Sequence, residues 1–287
     1  MILKPSFHQG FARSAGESAF PERWRGLVHD FSPAMGIQGG ELKDFSGNLA
    51  HGTFSGMDPA TDWVTGSKGH ALSFDGVNDH VSTAAGSIPG SASFSVMAWV
   101  LVPGSKQTDW RTIMEFRRSA TNWWGLYESD PGISWRFRWT EGGGTDTQLD
   151  HQTGFSVDTW YRVGGTYNSA TTTGRCYLNG FIDNENTSAT NPVVATSGFL
   201  RIGSNQDGNE SMKAHIANTR VYNRALTERE MLDDYLDSAA IFRLKRRQFG
   251  FVPAAGGADA ADAFLRNQVA AVICRLVPLG RRRRLQH

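Results

Sequence analysis

Apolar and polar residues alternate over short stretches of this chain, and Gly, Asn, Asp or Pro interrupts the alternation every few residues. From about residue 26 to residue 236 one theme repeats, a run of β-prone residues closed by a turn-forming cluster. That spacing predicts a sandwich of many short antiparallel strands rather than βαβ units. "SFSVMAWVLV" puts Phe94, Val96, Ala98 and Val100 on one face and Met97, Trp99 and Leu101 on the other. Both faces are apolar, so the strand is expected in the middle of a layered structure. In "ISWRFRWT", Trp135, Phe137 and Trp139 share one face while Arg136 and Arg138 share the other. "TWYRVGGTYN" and "GRCYLNGFID" read as two further strands, with a tight turn at Asn179-Gly180, a pair that tolerates positive φ. "HIANTRVYNRAL" is another strand. "LTEREMLDDYL" predicts a helix opened by a capping box, Thr227 capping and Glu230 reaching back. Glu228, Glu230, Asp233 and Asp234 on that helix are expected to be solvated.

Five of these stretches carry a resemblance. "ALSFDGVNDHV", "FSVMAWV", "WYRVGGTYN" with "GRCYLNGFID", "LRIGSN" and "HIANTRVYNRALTEREM" occur in the order found in laminin G-like, concanavalin A-like domains. The similarity covers about residues 68 to 236, and Asp44, Ser46, Gly47, Asn48, His51 and Gly52 resemble the lead-in strand of such domains. It implies an all-β, two-sheet antiparallel jelly roll. The chain departs from the pattern at Ala214 and at Ala217-Asn218, where relatives often have Gly and paired Asp, so no metal ligand is expected from that pair. The organisation expected is an N-terminal arm over 1–25, a laminin G-like sandwich over 26–236, and a basic C-terminal arm over 237–287. The arms carry aromatic anchors, Phe11, Phe20 and Trp24 in the first and Phe249, Phe251 and Phe264 in the second. Exposed aromatics at that density must dock on something, either their own sandwich or a neighbouring subunit.

Composition narrows the partners. The net charge is +1, so no global field selects nucleic acid, and the basic runs Arg243–Arg247 and Arg281–Arg284 read as solvated or partner-docking tails. No apolar run is long enough to span a membrane, and the N-terminus lacks the apolar core of a signal peptide. Cys176 and Cys274 have no zinc-type spacing to each other or to His, and both are expected to be buried thiols.

Candidate chemistry is sparse. In "FDGVNDHV", Asp75, Asn78 and Asp79 either hold a hydrogen-bonded turn or, with Asn205 and Asp207 of "GSNQDG", ligate Ca²⁺. Trp135, Phe137 and Trp139 either fill the core or form a sugar-stacking platform. Trp123 and Trp124 are adjacent and point to opposite faces, so one of them, with Arg136 and Arg138, is expected to contact a glycan or partner. Glu115, Glu128 and Asp130 are the central carboxylates, and none has the strand spacing of a glucanase pair. No G-x-S-x-G, H-E-x-x-H or phosphate loop occurs. A non-enzymatic binding protein is therefore expected. Its expected setting is a phage or similar virion, assembled in the host cytoplasm as a capsid decoration or tail protein, with capsid proteins, further copies of itself and cell-surface glycans as partners. A free carbohydrate-binding lectin is the alternative, and a glycoside hydrolase the third reading.

Overall fold

In chain order the strands are β1 (Leu27–Phe31), β2 (Glu41–Leu42), β3 (Gly52–Ser55), β4 (Trp63–Gly66), β5 (Gly69–Asp75), β6 (His80–Ser82), β7 (Ile88–Pro89) and β8 (Phe94–Leu101). Then follow β9 (Arg111–Ser119), β10 (Asn122–Glu128), β11 (Ser134–Thr140), β12 (Asp146–Gly154), β13 (Tyr161–Asn168), β14 (Thr173–Leu178), β15 (Phe181–Asn186), β16 (Ser197–Ile202) and β17 (Lys213–Tyr222). A one-turn helix α1 (Pro21–Trp24) precedes them and α2 (Glu228–Leu236) follows. The computed structural model describes residues 20–242 except 36–39, 59, 86–87, 90–91, 120–121, 130–133, 141–145 and 190–196. All of these belong to one unit, Met1–Lys245.

The strands make two antiparallel sheets. One has eight strands in the order β15-β14-β13-β8-β17-β5-β4, with β1 also pairing β17. The other has nine, in the order β12-β11-β10-β9-β16-β6-β3-β2, with β7 also on β16. This is the jelly-roll sandwich expected from the strand pattern. The Asn179-Gly180 turn closes β14 on β15 with φ of 52° and 85°, the positive values a two-residue hairpin requires. Thr227 and Glu230 make the capping box in both directions.

β8 shows why its sequence is apolar on both sides. Phe94, Val96, Ala98 and Val100 enter the core between the sheets. Met97 packs instead under α2 with Tyr177 and Met231, and Trp99 lies beside Ala71 and Ala217 on the same outer side. Gly164 and Gly165 on β13 make room for both layers. A Cβ on Gly165 would stand 2.4 Å from the Phe137 ring, and one on Gly164 would stand 2.7 Å from the methyl of Met231.

The expected domain boundaries fall inside packed structure. Trp24 is buried with Leu27, Tyr222, Leu226 and Ile241, so the ends of both arms dock on their own sandwich. Arg23 donates to the carbonyls of Asp233 and Asp237 at 2.9 Å each, which satisfies the C-terminal end of α2. Phe20 is half-buried beneath the Arg23 guanidinium. Trp99 Nε1 donates to Ser238 Oγ at 2.9 Å. Phe20 and Trp24 are thus contacts within the chain, while Phe11, Phe249, Phe251 and Phe264 lie outside the described residues.

Glu228 is exposed as expected, but Asp234 and Glu230 differ from the solvated expectation. Asp234 is buried and accepts from Arg162 Nε at 2.7 Å and from Arg220 Nη1. Arg220 donates further to Asp30 at 3.2 Å and to the Ser238 carbonyl at 2.6 Å. Glu230 is held by Arg224 at 2.7 and 2.9 Å. The helix spacing places Asp234 and Met231 on the face turned to the sheet, and two sheet arginines make burial of the charge tolerable.

Candidate functional site

Strand alternation sorts β10 and β11 into an inner and an outer face. Trp124 pairs with Trp139 and Leu126 with Phe137, and these point inward. Trp135, Phe137 and Trp139 are fully buried, so they are core and not a sugar platform. Trp124 is stacked between Phe94 at 4.7 Å and Phe116 at 5.0 Å, which removes it from the candidate contacts. Trp123, Gly125 and Tyr127 point outward, with Gly125 opposite Arg138 and Tyr127 opposite Arg136.

On the outer face the arginines meet aromatic rings. The Arg136 guanidinium lies 4.1 Å from the Trp110 ring centre. That of Arg138 lies 5.0 Å from Trp110 and 4.7 Å from Trp123. Arg136 donates through Nε and Nη2 to the two carboxylate oxygens of Asp150, and Arg138 donates to Asp146. Trp123 and Trp110 are both half-buried. Trp110 was not singled out in the sequence. It precedes β9 in a polar loop, and only the pairing of β9 with β10 carries it to this face.

Beside the aromatics lies a polar cluster. Tyr127 Oη donates to Glu115 Oε2 at 3.0 Å, and the Gln206 amide donates to Glu115 Oε1 at 3.2 Å. Arg117 Nη1 stands 3.6 Å from Glu115 and donates to Asp207 at 2.8 Å. Burial raises the Glu115 carboxyl, and burial with the neighbouring Glu115 charge raises the Tyr127 phenol well above its usual range. A half-buried indole next to fixed carboxylate, guanidinium and amide groups can stack on the C–H face of a sugar and bond its hydroxyls.

Glu115 and Glu128 do not form a catalytic pair. Glu115 sits opposite Gly125 on the outer face, whereas Glu128 sits opposite Trp135 and points inward. A retaining or inverting pair needs both carboxylates to face one substrate cleft, flanking the scissile bond. Asp130 lies outside the described residues.

The five residues considered for calcium are held in other ways. Asp75 Oδ1 accepts from the amides of Val77 at 2.7 Å and Asn78 at 3.4 Å, and Asp79 Oδ2 accepts from the Asp75 amide at 2.8 Å. Asn205 bonds Asn209 through both side-chain atoms, and Asp207 pairs with Arg117. Among the described residues, Asp75, Asp79 and Asp207 do not come together as one group of three carboxylates. Asp75–Asp79 is a hydrogen-bonded turn between the two sheets.

A sequence profile of the concanavalin A-like lectin/glucanases superfamily, in its laminin G form, matches residues 75–231, more than half of the 287 residues. The chain belongs to that superfamily. No curated protein matches it by sequence. Among solved structures, this lectin-type fold is similar to the binding domain of Paraclostridial Mosquitocidal Protein 1, with a TM-score of 0.58, 16% identity, and 74% of this chain and 52% of that chain covered. It is similar to domain 4 of AbnA, a GH43 extracellular arabinanase from Geobacillus stearothermophilus solved with arabinotriose, at a TM-score of 0.56 and 19% identity over 72% of this chain and 97% of that one. It also resembles the receptor-binding domain of botulinum neurotoxin D, with a TM-score of 0.58, 13% identity and coverage of 75% and 54%. The chain spans about half the length of the two toxin chains. At these identities the likeness concerns the fold of binding domains.

Proposed function

We propose that this protein is a non-catalytic glycan-binding module that takes its ligand on the outer face of the nine-stranded sheet. The observation that carries the reading is the row Arg136, Trp110, Arg138 and Trp123, two half-buried indoles locked by stacked guanidinium groups. Such pre-ordering lowers the entropy lost when a sugar stacks. The separation of Glu115 and Glu128 onto opposite sheet faces supports binding without hydrolysis. The similarity to domains solved with arabinotriose or described as receptor-binding is consistent with this class of ligand.

The test is a glycan panel with binding and reducing ends measured together. Saturable binding without release of reducing ends is expected. Trp123→Ala should weaken it by ~10-fold or more, the scale of a lost stacking contact of about 1–2 kcal/mol. Unchanged affinity in both Trp123→Ala and Trp110→Ala would exclude this face.

As to its setting, we propose display on a phage or related virion. The support lies in the sequence, where a basic segment with Phe249, Phe251 and Phe264 follows the sandwich. Deleting residues 246–287 should leave the melting transition of the sandwich in place and abolish incorporation into particles. Normal incorporation of the truncated chain would overturn the attachment role of that segment.

A further inference from the structure

We propose that His151, Cys176 and Asp183 form a binding site for a four-coordinate divalent transition metal of the zinc type, clipping together the edge strands of the two sheets. Among the described residues, this is the group of three His, Cys, Asp or Glu residues whose ligand atoms lie within 4.8 Å of one another. Tetrahedral zinc with bonds of about 2.0–2.3 Å holds its ligand atoms roughly 3.3–3.8 Å apart, so small side-chain adjustments close the site. Imidazole, thiolate and carboxylate are the donors zinc takes, and three of them leave the fourth position for water.

The backbone is shaped around the group. His151 lies on β12, the edge strand of the nine-stranded sheet, and Asp183 on β15, the edge strand of the other. Cys176 is on the adjoining β14 and buried in the core. Each edge strand departs from regular pairing at its ligand. Cys176 pairs with Asn184 and Tyr177 with Ile182, leaving Asp183 as the extra, unopposed residue. On β12 the register jumps between Asp150, paired with Arg136, and Gly154, paired with Ser134, a stretch that contains His151. Bulges of this kind re-aim side chains, and here two of them on facing edges serve one point.

His151 supplies the second observation. It is 3% exposed, and neither ring nitrogen makes a hydrogen bond, Nδ1 standing 3.4 Å from Asp183 Oδ2. A buried imidazole whose Nε2 has no partner and whose Nδ1 has only the longer contact to Asp183 is costly. Asp183 is oriented for the role by Thr153, whose amide donates to Oδ2 at 3.0 Å and whose hydroxyl donates to Oδ1. Partners of this kind hold a ligating carboxylate in place in metal sites.

The test uses the full chain carrying Cys274→Ser, so that Cys176 is the remaining thiol, titrated with Co²⁺ as a spectroscopic probe and then Zn²⁺. Expected are one equivalent of Co²⁺ bound, a thiolate-to-cobalt charge-transfer band, four-coordinate d–d intensity, and displacement by Zn²⁺. Zn²⁺ should also raise the melting temperature, since it binds the folded state. Cys176→Ser should abolish the charge-transfer band and weaken binding by roughly 100-fold or more, at or beyond the upper end of losses seen for supporting residues. Because that change is in the core, Asp183→Asn at a half-buried position serves as the second variant, with weakened Co²⁺ affinity expected in a normally folded protein. Absence of saturable Co²⁺ binding, or a charge-transfer band that survives Cys176→Ser, would overturn the site.

Discussion

Asp234→Ala is expected to lower folding stability by about 3–5 kcal/mol, the cost of leaving buried charge without its partner. The carboxylate joins Arg162 on β13 to Arg220 on β17 and ties α2 to the outer side of the eight-stranded sheet. Removing it leaves Arg162 with the Asn218 carbonyl and Arg220 with Asp30 and the Ser238 carbonyl. For a domain of this size the loss corresponds to a fall in melting temperature of about 6–20 °C. Burial alone would raise the Asp234 carboxyl, but Arg162 and Arg220 outweigh it and hold it below the usual carboxylate range. The stabilisation is thus present above the ordinary carboxylate pKa and lost as pH falls through the lowered one. The measurement is chemical unfolding of the parent, Asp234→Ala, Arg162→Met and the double variant Arg162→Met/Asp234→Ala. The double variant should lose less than the sum of the single losses, because each single already removes the Arg162–Asp234 contact and the double leaves neither of that pair unpartnered. A change in Asp234→Ala below about 1 kcal/mol would show that the network carries no such role.

The sandwich was legible because its signals are local. Alternation in β8 and β11, the positive-φ pair at Asn179-Gly180 and the Thr227–Glu230 capping box each follow from a few adjacent residues, and each is realised in the fold. The burial of Asp234 was not legible, because an acid on a helix reads as solvated unless its partners are known. Those partners, Arg162 on β13 and Arg220 on β17, come from strands that only the sheet order brings to either side of β8. The same reason hid the docking of Trp24, whose neighbours Tyr222, Leu226 and Ile241 lie about two hundred residues away in the chain.

The candidate site was half legible. Alternation gave the outward side of Arg136 and Arg138, and it required Trp123 and Trp124 to diverge, without saying which of them met the core. The answer depends on register, since Trp124 opposes Trp139 and falls between Phe94 and Phe116. Trp110 joins the site from a loop and has no periodic signature. His151, Cys176 and Asp183 are likewise invisible in one dimension: their spacing resembles no metal motif, and two bulges on two strands bring them together.

Glu128→Gln is expected to stabilise the protein at pH 8 and to leave it nearly unchanged at pH 4. Glu128 is buried and points into the sandwich opposite Trp135. Burial pushes its pKa up to about 7, opposed only in part by the Gln107 backbone, Lys106 and Arg111. Below the ordinary glutamate pKa the side chain is neutral whether the chain is folded or not, and it has no effect on the pH slope. Between that value and about 7 the folded form holds a proton that the unfolded form has released, so stability falls as pH rises. Above about 7 the penalty is complete, at about 3 kcal/mol for a rise of this size. Glutamine has the same shape and no charge to desolvate, so the variant should recover about 2–3 kcal/mol at pH 8, or about 5–10 °C in melting temperature. Its stability should also change less than the parent's between pH 5 and pH 8. Equal melting temperatures for parent and variant at pH 8 would mean that Glu128 is solvated in the folded protein.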